Sequence, residues 1–114
     1  MIGLMVAGMM GAAVQGPMPR ADYGTLFGPA DYPTSLVGGP SPGPVTVHLA
    51  VAANGRAAGC VIVKSSGAAA LDVATCRLLI SRARFIPARD ADGNPTEGEA
   101  SATLAWTPPA GSGG

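Results

Sequence analysis

The side chains equipped for chemistry are few: one histidine (His48), two cysteines (Cys60 and Cys76), the serine pair Ser65-Ser66, and the acidic run Asp90-x-Asp92-x-Asn94. A hydroxyl or thiol nucleophile needs a base and a group that orients that base. Here a single histidine must serve every arrangement, and no G-x-S-x-G motif surrounds either serine. No catalytic residue is assigned and no enzymatic activity is expected. The acidic run matches the first three ligand positions of a calcium loop, then departs from it. Pro95 stands where the loop needs glycine, and Ser101 where it needs a bidentate glutamate, so the run reads as a turn. One histidine and two cysteines also fall short of a four-ligand zinc site. Neither a metal nor a cofactor is expected, and no G-x-x-x-x-G-K-[ST] phosphate loop occurs.

Charge excludes another class. Seven Lys plus Arg balance seven Asp plus Glu over 114 residues, without the cationic excess from which nucleic-acid binding draws its free energy. Arg77, Arg82, Arg84 and Arg89 form a local basic run with no acid between them. It reads as a solvated helix face rather than a nucleic-acid contact.

The elements that must position these residues lie in the middle of the chain. Val45, Val47, Leu49 and Val51 alternate with Thr46, His48, Ala50 and Ala52, the period of a strand with one apolar face; His48 falls on its polar side. Asn54-Gly55 follows, the preferred pair for a two-residue type I′ hairpin turn in which both residues have φ above zero. A second strand is expected from about Arg56 to Lys64, with Ala58, Cys60 and Ile62 on one face and Val61 and Val63 on the other. Ser65-Ser66-Gly67 breaks it and supplies caps for a helix over residues 68–84. Leu71, Ala74, Leu78 and Leu79 share one side of that helix, Asp72 sits near its positive end, and Arg82 and Arg84 near its negative end. Phe85 to Ala88 leaves the helix extended, Asp90 to Pro95 turns, and Ala100, Ala102, Leu104 and Trp106 alternate as a third strand. The order strand, strand, helix, strand predicts an α+β fold: a small antiparallel three-stranded sheet with one helix packed on it. Cys60 on the helix-facing side of the second strand and Cys76 on the helix are placed to meet, as a disulfide or as two free buried thiols. An exported chain with a core poor in large side chains favours the disulfide.

The two ends divide the rest. Residues 1–14 are uncharged and almost wholly apolar, too few for a membrane span of about 20 residues. They fit the apolar region of a signal peptide, although no Lys or Arg precedes them. The segment 1–16 is therefore assigned as a signal or truncated anchor, and membrane anchoring is not supported by the residues present. Residues 17–44 carry seven Pro and five Gly and read as a linker or irregular wrap, with Tyr23, Leu26, Phe27 and Tyr32 as candidates to pack on the domain edge. Residues 45–107 form the domain, and residues 108–114 a flexible tail.

The ordered set Tyr32-Pro33, Val45-x-Val47 through Asn54-Gly55-Arg56, Val61 and Val63, Ser65-Ser66-Gly67, Leu71-Asp72 and Phe85-x-Pro87-Ala88-Arg89 resembles the C-terminal domain of the TonB energy-transducer family, from about residue 31 onward. Paired cysteines like Cys60 and Cys76 resemble those of a family subgroup with one on the second strand and one on the helix. The resemblance implies a periplasmic module of the cell envelope that binds the plug-side peptide of a TonB-dependent outer-membrane receptor by β-strand addition, in transmembrane transport. It points to the third strand, Ala100, Ser101, Ala102, Thr103, Leu104, Ala105 and Trp106, as the binding edge. Small side chains there would let a second backbone approach, while Glu97 and Glu99 read alternatively as charges that guard an edge. A second copy of the chain is another candidate for the same edge, giving a homodimer. The alternative reading is a small disulfide-stabilised interaction or assembly domain of the cell envelope without an energy-transducing role.

Overall fold

The computed structural model describes residues 14–108; the expected leader and tail fall, apart from Val14 to Gly16 and Pro108, outside the described residues. In chain order the strands are β1 (Met18–Pro19), β2 (Val45–Val51), β3 (Ala57–Lys64), β4 (Phe85–Ile86), β5 (Ala88–Arg89), β6 (Pro95–Thr96) and β7 (Gly98–Leu104). One α-helix, α1 (Ala69–Arg82), joins β3 to β4. The architecture is α+β: antiparallel sheet β3-β2-β7 with α1 packed on one face.

Alternation in β2 decides which face is covered. Val45, Val47, Leu49 and Val51 are buried beneath the helix with Leu79, Ala83, Phe85, Ala102 and Leu104. Burying such side chains contributes about 1.5–3 kcal/mol each, which is how a core with few aromatic rings holds together. Helix α1 forms because an Ala/Leu-rich run has high propensity and places Leu71, Ala74, Thr75, Leu78 and Leu79 on one buried stripe. Its start differs from the expected cap. The N-cap Ala68 has no capping side chain; instead the Asp72 carboxylate reaches back to accept from the Ser65 hydroxyl and from the Ser66 N–H and hydroxyl. Burial pushes the Asp72 carboxyl up, but these hydrogen bonds together outweigh it and leave its pKa below the ordinary value.

The β2–β3 turn also departs from the expected type. Among the described residues no non-glycine residue has positive φ, while Gly55 has φ 88°. The Ala52 N–H bonds the Arg56 carbonyl and the Gly55 N–H bonds the Ala52 carbonyl, so the loop is Ala53-Asn54-Gly55. This is a three-residue hairpin with one left-handed glycine rather than a two-residue type I′ turn. Asn54 acts through its side chain, accepting from the Arg56 N–H at 3.0 Å. A bulge then offsets β3, pairing Val51 with Ala57 after Ala50 pairs with Gly59. Ala57 is therefore buried and Ala58 exposed, the reverse of the face expected for Ala58, because a bulge resets the two-residue period.

The segment before β2 wraps the domain. Val14 and Gln15 bond Arg89, and β1 pairs antiparallel with β4. Three 3-10 turns follow, and they bring Tyr23, Leu26 and Phe27 onto the core and bury Tyr32 to 3% exposure. Asp31 clamps this wrap to α1, accepting twice from the Arg82 guanidinium at 2.8 and 3.0 Å. That hydrogen bonding, with a further bond from the Gly28 N–H, lowers its pKa to about 2. A carboxyl depressed in the folded state stabilises it above the unfolded pKa, near 4, and loses that contribution as pH falls through about 2. Stability measured from pH 5 downward should decline in that window, and Asp31→Asn should remove that share of the decline. An unchanged acid profile in the variant would contradict the clamp.

Candidate functional site

In the order β3-β2-β7 the two outer strands each present one edge, and among the described residues no strand pairs with the outer side of β7. The register with β2 runs without a shift from Val45↔Leu104 to Val51↔Gly98. Ala102 and Leu104 point into the core, while Glu99, Ser101 and Thr103 face outward on the open side of the sheet. No bulge twists this edge away, and none of its five residues from Ala100 to Leu104 is charged or larger than leucine. An incoming backbone therefore meets donors and acceptors with few side chains in its path.

Cross-strand contacts hold the exposed side chains of β7 on the open face. The His48 ring nitrogen Nε2 and Glu99 Oε1 are 3.0 Å apart, and the Thr46 and Thr103 hydroxyls are 3.0 Å apart. Glu99 is thus drawn over the sheet toward β2 and away from the outer edge. Glu97 precedes β7 and is exposed.

The strand begins and ends two residues earlier than the alternation suggested, at Gly98 and Leu104, so Ala105 and Trp106 continue beyond the ladder. Trp106 turns toward the helix. Its indole N–H donates to the Thr75 hydroxyl at 2.8 Å, and that hydroxyl donates to the Leu71 carbonyl at 2.7 Å. The Phe27 ring packs on Trp106 at 4.6 Å between centroids, and the Tyr32 ring meets it edge-on at 6.1 Å. Between Phe27, Pro29, Leu104 and Trp106 a groove of about 790 Å³ opens directly off the end of β7. The alternating pattern could not reveal it, since one wall comes from the proline-rich wrap; the aromatic residues scattered in that wrap were the available signal.

The other chemistry-bearing residues are engaged structurally. Cys60 and Cys76 form a disulfide with Cα atoms 5.6 Å apart, tying β3 to α1. Ser65 and Ser66 hold Asp72 at the helix start. Asp90 Oδ1 accepts from the Asp92 and Asn94 N–H groups, closing the β5–β6 turn.

A family model described as Gram-negative bacterial TonB protein C-terminal matches residues 29–108. The chain belongs to the TonB C-terminal family. No curated protein matches it at a significant level. TonB C-terminal domains are interaction domains linked to TonB-dependent transport, and membership points to the Gram-negative cell envelope. Among the described residues no helix is long and apolar enough to cross a membrane. The match begins at Pro29, inside the wrap, so in this TonB C-terminal domain the matched region includes Tyr32 and the Asp31 clamp as well as the sheet and helix.

Proposed function

We propose that this TonB C-terminal domain binds the plug-side peptide of a TonB-dependent outer-membrane receptor as an added strand on the outer edge of β7. The observation that carries the reading is the open edge itself: a regular seven-residue strand, small side chains from Ala100 to Thr103, and Glu99 held away over the sheet by His48. Strand addition draws affinity from backbone hydrogen bonds. The groove lined by Phe27, Pro29, Leu104 and Trp106 adjoins the end of β7 and gives the added segment somewhere to go past Leu104.

The test is a titration of the oxidised full chain with plug-side receptor peptides, each made in two further versions N-methylated on alternate backbone nitrogens. A net hydrogen bond contributes about 0.5–1.5 kcal/mol, so one methylated set should weaken binding by about tenfold or more while the other binds as the parent peptide does. No binding at millimolar concentration, or indifference to both methylated sets, would sink strand addition.

A further inference from the structure

Three arginines that the peptide edge does not use meet at the opposite end of the sheet. Arg56 and Arg84 form an antiparallel bridge. On the other side of Arg84, the β1–β4 register Pro19↔Phe85 continues one rung to Arg20, whose N–H bonds the Arg84 carbonyl at 2.9 Å. Residues directly opposite on antiparallel strands share a face, so Arg56, Arg84 and Arg20 stand side by side, and all three are exposed. Like charges in such a rung repel. Among the described residues none of the three is in an ion pair; the pairs there are His48–Glu99 and Arg82–Asp31. The acid nearest Arg20 in sequence, Asp22, joins neither.

Two further observations give the row a ligand chemistry. Arg20 and Arg84 line a cleft of about 140 Å³ with Tyr23 and Leu26, and the Arg84 guanidinium is fixed there by donating to the Ser81 and Ala83 carbonyls at 3.1 and 2.9 Å. Two rungs further along, on the same face, lie Met18 and Ile86, paired with each other and 55% and 42% exposed. A cationic row bordered by exposed apolar side chains matches a surface that offers anionic groups above hydrocarbon. In the sequence, the uncharged and almost wholly apolar residues 1–14 end four positions before Met18.

We infer that the Arg20–Arg84–Arg56 face, with Met18 and Ile86, docks on the headgroups of an anionic phospholipid surface, leaving the β7 edge free. This inference does not depend on the peptide reading.

The experiment is co-sedimentation of the oxidised full chain with phosphatidylcholine vesicles made with or without phosphatidylglycerol. Each arginine near an anionic surface is worth about fivefold in partitioning, so the three should favour the anionic vesicles by about a hundredfold. Arg20→Gln with Arg56→Gln should lower that ratio about 25-fold. Lys64→Gln with Arg77→Gln, the same change in net charge elsewhere, should leave it unchanged. Arg84 is spared because it also caps the helix. Equal binding to both vesicle types would overturn the inference and assign binding to the apolar residues 1–14. Equal losses in the two double variants would overturn it in favour of net charge alone. Displacement by inorganic phosphate at constant ionic strength would overturn it in favour of a free-anion site.

Discussion

Gly55→Ala is expected to destabilise the domain by about 3 kcal/mol, a large share of what holds a small domain together. Gly55 sits at φ 88°, where an L side chain costs about 1–2 kcal/mol. A Cβ there would also lie 2.4 Å from the Phe85 carbonyl oxygen. That atom belongs to backbone, so the hairpin or β4 has to move, and the Phe85 N–H bond to the Gly55 carbonyl, 2.7 Å long, is the link at risk. Losing it adds about 1 kcal/mol. Gly93 separates the two effects: its φ is 84°, yet a Cβ there meets nothing within 4 Å. Gly93→Ala should therefore cost only the conformational part, about 1–2 kcal/mol. Urea unfolding of both variants measures the difference, and equal losses would mean that the close approach of the hairpin to Phe85 carries no stability.

The second large effect belongs to the Cys60–Cys76 bond. The cysteines are 16 residues apart, and closing a loop of about 15 residues stabilises by roughly 3 kcal/mol in the chain-entropy account. The bond joins α1 to β3, one outer strand of a sheet whose core is mostly Val, Leu and Ala. Replacing both cysteines by alanine should lower the unfolding free energy measured in urea by that amount, and reductant should bring the native chain to the same value without affecting the variant. A loss below about 1 kcal/mol in both cases would show that the core suffices without the bond.

The sequence revealed those parts of the fold that a simple period governs. The β2 alternation and the Leu71, Ala74, Leu78, Leu79 stripe placed the sheet face and the helix correctly, and they set Cys60 opposite Cys76. Where a single residue interrupts the period, sequence reasoning failed. The bulge that buries Ala57 in place of Ala58 and the three-residue loop at Gly55 both change a face or a turn without changing composition. The pairing of β1 with β4 was hidden for another reason. Its strands are two residues long and β1 contains Pro19, so tertiary contact, not propensity, makes them strands. For the candidate site, alternation found β7 and family resemblance singled out its edge. The groove beside it joins Phe27 to Trp106, and the Arg20–Arg84–Arg56 row joins three separate segments. Such juxtapositions exist only once the wrap is laid on the domain.

Strand addition on β7 is tested most directly by amide hydrogen exchange of the isotope-labelled full chain, with and without saturating plug-side receptor peptide. Residues of β7 alternate in the direction of their N–H groups, toward β2 or away from it. The expected result is new protection at every second amide between Gly98 and Leu104, with the amides of β3 unchanged. Peptide binding that protects β3 instead, or that leaves β7 exchanging as it does in the free chain, would contradict the assignment of this edge.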